Sequence, residues 1–149
     1  MGAASVEAYV IGEHGTSSVF LWSSANVGGM TVEQMVAQRR MPYDEFRRAV
    51  EHDMRYANIS IIEGIGASQY GIGMVAGRIA EAVARDEQAV FTVGSYIGRY
   101  GVTLSLPSVV GRDGVREVLS PAMSDDETRA LERSAETLRT ALAPYTSGA

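Results

Sequence analysis

Apolar residues along this chain change from a spacing of two to a spacing of three or four and back, and these changes divide it into elements. Val6 to Ile11 reads as a short strand, Gly12 to Ser18 as a loop, and Val19 to Trp22 as a second strand rich in large apolar side chains. Asn26-Val27-Gly28-Gly29 turns the chain, and Thr31 is placed to cap a short helix reaching Gln38. Pro42 stands where a helix start tolerates proline. A longer helix then runs from Tyr43 to about Glu63, with Phe46, Val50, Met54 (or Ala49), Ala57 and Ile61 on one stripe, until Gly64 and Gly66 interrupt it. A further helix over Tyr70 to Arg85 aligns Ile72, Val75, Ile79 and Val83 on a stripe expected to be buried.

The remainder is mostly β. Ala89 to Gly98 and Val102 to Val110 carry the β-branched and aromatic residues of strands, and Gly111-Arg112-Asp113-Gly114 is a hairpin turn into Val115 to Leu119. Three antiparallel strands are expected, ending at Pro121. Ser124-Asp125-Asp126-Glu127 then has the form of a capping box opening a final helix, whose stripe is Leu131, Ala135, Leu138 and Leu142 and which Pro144 closes. The fold class is therefore α+β, with antiparallel strands packed against long helices. Residues 1–5 are expected to be disordered and residues 146–149 to be a frayed tail.

Gly71, Gly73 and Gly77 lie along the Tyr70–Arg85 helix, and each costs roughly 0.5–1 kcal/mol relative to alanine. Either another helix packs tightly there, or a backbone or flat ligand approaches closely. Composition narrows the class further. With 149 residues, 46% of them apolar, a single domain with one core is expected. The net charge of −5 comes without a basic stripe, which excludes nucleic acid as a partner. No cysteine is present, so disulfides and thiolate metal sites are excluded. No apolar run approaches membrane-spanning length, and no metal-ligand cluster stands out, so no membrane partner and a cytoplasmic location are expected.

Candidate chemistry centres on Gly12-Glu13-His14-Gly15, at the end of a strand and ahead of Thr16-Ser17-Ser18. A histidine between two glycines is exposed and held, and imidazole exchanges protons near neutral pH. Glu13 should point to the opposite face from His14 and reads as a solvated loop carboxylate. Arg47, Arg48 and Arg55, with Asp44, Glu45, Glu51 and Asp53 three or four positions away, read as an exposed ion-paired face, and His52 among them as a surface residue.

The string Val6-Glu7-Ala8-Tyr9-Val10-Ile11-Gly12-Glu13-His14-Gly15-Thr16-Ser17-Ser18-Val19-Phe20-Leu21-Trp22-Ser23 resembles the active-site strand and loop of the L-lactate/malate dehydrogenase family. The resemblance continues through Gly28-Gly29, Ile61-Ile62, Gly66-Ala67-Ser68 and Leu106-Pro107-Ser108-Val109-Val110-Gly111, covering residues 6–145. It implies the C-terminal, substrate-binding domain of such an enzyme, because no Gly-x-Gly-x-x-Gly follows an opening strand, and the N-terminal NAD-binding Rossmann domain is expected to be absent.

By this resemblance His14 is the proton acceptor and donor in the interconversion of a 2-hydroxy acid and a 2-oxo acid, and NAD is the cofactor. Ser68 stands where lactate dehydrogenases commonly have threonine and would line the pocket for the substrate side chain, which leans towards lactate over malate. Ile72 matches the residue that packs on the nicotinamide ring. The orienting aspartate and the arginine that grips the substrate carboxylate come, in the family, from a helix preceding the histidine strand, and this chain does not contain them. Glu7 replaces the histidine of sugar-bisphosphate-activated members, and an acid there would repel a phosphate. Thr16 and Ile59 also depart from the pattern, which usually has aspartate and an aromatic residue there. The chain is thus expected to be a fragment inactive alone, half of an enzyme completed by a Rossmann half in trans, or a binding or assembly module keeping the fold. A homo-oligomer is expected, with the Ile72 face left uncovered as an apolar patch.

Overall fold

The computed structural model describes residue 2 and residues 5–146. The rest of the stretch read as disordered, and residues 147–149 of the expected tail, lie outside the described residues. In chain order the elements are β1 (Val6–Glu7), β2 (Val10–Ile11), β3 (Val19–Phe20), β4 (Asn26–Val27), β5 (Met30–Thr31), α1 (Val32–Gln38), α2 (Tyr43–Ile65) and α3 (Tyr70–Arg85). They are followed by β6 (Ala89–Ile97), β7 (Val102–Gly111), β8 (Gly114–Val118) and α4 (Asp125–Thr146). The fold is α+β with antiparallel pairing, as expected.

The first strand divides in two because its halves take different partners. Val6 pairs with Val27 of β4, whereas Ile11 pairs with Val19 of β3. The Asn26–Gly29 segment is not all turn. Asn26 and Val27 form β4, and only Gly28 and Gly29, both at positive φ, make the two-residue reversal into β5. Thr31 caps α1 through a complete capping box with Gln34.

The buried side chains form two clusters instead of the one core expected. Ile11, Val19 and Leu21 meet Val102, Leu104 and Leu106 of β7 and Leu131 and Ala135 of α4. Separately, Ala25, Val27, Val32 and Val36 pack with Trp22, Tyr43 and Phe46. The hairpin-joined strands order as β6-β7-β8, with β7 central, and α4 lies against β3 and β7. Pro144 falls within α4, two residues before its end, so it does not close the helix.

The long helices depart most from expectation. Gly64 lies inside α2, and the helix ends at Gly66, whose φ of 82° supplies the left-handed cap. Phe46 and Val50 are half-buried, but Met54, Ala57 and Ile61 of the same stripe are exposed. In α3 only Ala82 is buried; Ile79 and Val83 are half-buried, while Ile72 and Val75 are 64% and 60% exposed. The stripe read as buried is therefore open at its N-terminal end. Within the described residues, no packing partner lies over that end of the helix.

Candidate active site

β2 leads the chain against β7, where Gly12 N–H donates to the Ser105 carbonyl (2.8 Å) and Ser105 N–H donates to the Gly12 carbonyl (2.9 Å). Gly12 has φ of 88°, and a Cβ placed on it would come within 2.6 Å of Ser134 Oγ on α4. Only glycine meets both conditions. The next amide, Glu13 N–H, donates to that same Ser134 Oγ at 2.8 Å.

Glu13 is not the solvated carboxylate anticipated. Its Oε2 accepts from Ser17 N–H (3.1 Å) and Ser17 Oγ (2.7 Å), and its carboxylate folds over Gly15, where any Cβ would collide with it. The backbone reason is the tight loop. Ser18 N–H donates to the Gly15 carbonyl (3.4 Å), bringing Ser17 back beside Glu13. His14 occupies the crest of this loop, exposed, and among the described residues it makes no hydrogen bond, ion pair or ring contact.

The arginines of α2 do more than line an ion-paired face. Arg55 Nη1 donates to the Thr16 carbonyl at 2.9 Å, two residues beyond His14, and its guanidinium lies 5.0 Å from the Phe20 ring centroid. Arg47 lies over Trp22 and Tyr43 and is 3.8 Å from Glu51, which accepts from Trp22 Nε1 (2.8 Å). His52 is a surface residue beside Asp53 and Tyr56, as read.

α2 thus links the two halves of the candidate site. Near its middle Arg55 grips the histidine loop, and past its C-terminal end the 67–69 connector carries Ser68, half-buried. Ile72 follows on the first turn of α3, exposed, near Gly71, Gly73 and Gly77. A Cβ on any of those three glycines would meet nothing within 4 Å, so tight packing by another helix of the described chain is not what they serve. Ser68, in the connector before α3, and Ile72, on its first turn, stand four residues apart in the chain. No hydrogen bond, ion pair or ring contact joins either to His14 among the described residues.

Sequence reasoning missed Ser134 of α4, the reach of Arg55 from α2 to Thr16, and the second role of the capping-box residue Glu127. Ser134 is wholly buried, and the signal available was a hydroxyl three positions after Leu131, on the apolar face. Glu127 closes its capping box with Ser124 through Oε2 (2.8 Å) and also accepts from Trp22 N–H (2.7 Å) and Ser23 N–H (3.0 Å) through Oε1. Burial pushes the Glu127 carboxyl up, but the donors from Ser23, Ser124 and Trp22 outweigh it and hold its pKa below the ordinary 4.5. Trp22 and Ser23, which follow β3, are thereby tied to the start of α4.

An apolar cavity of about 340 Å³ lies between α2 and the β1–β3 region, lined by Val10, Phe20, Leu21, Trp22, Phe46 and Met54 among others. It contains none of His14, Ser68 or Ile72.

Residues 1–147 match the family model described as lactate/malate dehydrogenase, alpha/beta C-terminal domain. The chain belongs to this family. It is 50% identical over 132 residues to an L-lactate dehydrogenase of Deinococcus radiodurans, covering 88% of this chain and 43% of the relative. To an L-lactate dehydrogenase of Chloroherpeton thalassium it is 46% identical over 138 residues, covering 92% of this chain and 45% of the relative. A solved lactate dehydrogenase from a Medee basin deep-sea metagenome library superposes with a TM-score of 0.90 at 28% identity, over 96% of this chain and 47% of that one. This member of the lactate/malate dehydrogenase family therefore spans a little under half the length of the curated relatives it matches. No helix among its described residues is long and apolar enough to cross a membrane.

Proposed function

We propose that this chain is the substrate-binding, catalytic-histidine part of an NAD-dependent L-2-hydroxy acid dehydrogenase of the L-lactate type, with His14 as proton acceptor and donor. The observation that carries the reading is the histidine loop. Gly12, Glu13, Thr16 and Ser17 are each held by a named contact, while the imidazole between them is exposed and makes no hydrogen bond or ion pair among the described residues. A fixed backbone with a free imidazole suits a proton-transfer group, because the ring must reach the substrate and not a neighbour.

In oxidation the imidazole takes the hydroxyl proton of the 2-hydroxy acid. In reduction the protonated ring returns a proton to the carbonyl oxygen of the 2-oxo acid. NAD, when bound, supplies the hydride acceptor or donor. The residues present fit its ring: Ile72 is exposed, and the glycines beside it leave open space for a flat group. Ile72 would back the nicotinamide, and Ser68 would line the pocket for the substrate side chain.

The substrate carboxylate needs an arginine fork. Arg55 is engaged at Thr16 and Phe20, and the family resemblance implies that the fork, with a carboxylate to orient His14, comes from a Rossmann half supplied in the same polypeptide or in trans. The uncovered Ile72 face also supports self-association of the chain alone.

The test is to exchange the matching segment of the Deinococcus radiodurans relative for this chain and follow pyruvate-dependent NADH oxidation. Turnover is expected, with His14→Asn lowering kcat by about 10²–10⁴-fold. An inactive fusion, or activity indifferent to His14→Asn, would overturn the reading in favour of a non-catalytic module. Faster turnover with oxaloacetate than with pyruvate would make the chain malate-type. Activity of this chain without a Rossmann half would overturn the claim that the site is incomplete.

A further inference from the structure

We infer that Ser134 is a positioning residue for His14, acting with Glu13 as a two-point clamp on the histidine loop. The inference rests on the proposed role of His14 but stands on separate observations. Ser134 is 0% exposed on the apolar face of α4, between Leu131 and Ala135, where a hydroxyl costs desolvation unless it is paired. An alanine would serve the packing there.

The pairs shown for this hydroxyl lead to one place. Its Oγ accepts from Glu13 N–H (2.8 Å), lies 3.4 Å from Ser17 Oγ, and occupies the space that a Gly12 Cβ would need. Glu13 closes the other side, accepting from both Ser17 N–H and Ser17 Oγ. Residues before and after His14 are therefore fastened to one buried hydroxyl and one carboxylate, while His14 itself makes no hydrogen bond, ion pair or ring contact among the described residues. α4, more than a hundred residues downstream, sets the position of the imidazole. A misplacement near 1 Å costs on the order of 10²-fold in rate, so a clamp is worth its desolvation.

The chain has two histidines, so the His14 ring signals can be assigned by NMR with a His52 variant. Ser134→Ala in the full chain is expected to move or broaden the His14 ring signals and to speed exchange of the Glu13 amide roughly tenfold. His52 signals and the denaturation midpoint of the sheet should hardly move. Glu13→Ala should loosen the loop likewise, whereas Glu13→Gln keeps an oxygen acceptor for Ser17 and should restore it. In the fusion, Ser134→Ala should lower kcat by about 10–10²-fold with KM nearly unchanged.

Unmoved His14 signals and Glu13 exchange in Ser134→Ala would overturn the clamp. A loosened loop with unchanged kcat, or a lower kcat with an unchanged loop, would overturn the positioning role. If the parent fusion is inactive, the proposed function fails while the spectroscopic arm still decides the clamp.

Discussion

α3 and α4 carry similar sequence patterns and meet opposite fates. Each spaces apolar residues at three or four, yet Leu131 and Ala135 of α4 are wholly buried while Ile72 and Val75 of α3 are mostly exposed. The difference lies in what each helix faces. α4 lies against β3 and β7, whose Val19, Val102, Leu104 and Leu106 complete a cluster with it. α3 contacts β7 and buries Ala82 in its C-terminal part, whereas the arm formed by its N-terminal half and the end of α2 is exposed among the described residues. An amphipathic period states that a face needs covering; it does not state that the same stretch of chain supplies the cover.

The sharpest way to break this contrast is to truncate one residue on each helix. Leu131→Ala should cost about 2–5 kcal/mol, since it empties a fully packed site, and Val75→Ala no more than ~0.5 kcal/mol, since the side chain is already in water. Urea denaturation of this chain measures both. Equal costs would mean that the arm is packed after all.

A smaller effect is expected at the junction that α4 makes and α3 lacks. Glu127→Gln removes the charge from bonds donated by half-buried Trp22 and by exposed Ser23 and Ser124 and should cost about 0.5–1.5 kcal/mol at neutral pH. The sign follows from its depressed pKa. The carboxylate stabilises the fold fully above 4.5, and that contribution fades as pH falls through the lower folded-state value. The gap between parent and Glu127→Gln should therefore narrow in acid. A gap independent of pH would show that the bonds at Trp22 and Ser23 do not depend on ionisation.

The smallest effect on folding and the clearest on association belongs to the arm. Ile72→Ser with Val75→Ser should leave the denaturation midpoint within about 0.5 kcal/mol of the parent but reduce concentration-dependent light scattering, because Ile72 and Val75 share one helix face and are 64% and 60% exposed. A parent that stays monomeric over a wide concentration range would remove the support for self-association.

Much of the scaffold was legible from residues alone, for local reasons. Gly111–Gly114 specified the hairpin, Ser124 with Glu127 the start of α4, and Thr31 with Gln34 the start of α1, because each is a contact within one turn of chain. The histidine loop was legible as a glycine-flanked, exposed imidazole for the same reason. Its restraints were not. Glu13 alternates away from His14 in an extended segment, but the turn from Gly15 to Ser18 folds its carboxylate onto Ser17. Ser134 and Arg55 reach the loop from distant helices.

The sequence by itself therefore determined the four helices and where they begin, the β6–β8 hairpin strands, and which side chain offers an exposed imidazole, since capping, turn chemistry and periodicity act over a few residues. Tertiary structure alone decided the splitting of the first strand between two partners, the exposure of the α2–α3 arm, and the clamping of Gly12 and Glu13 by Ser134. These are outcomes of which surfaces meet, and a surface's partner is not encoded in its own period.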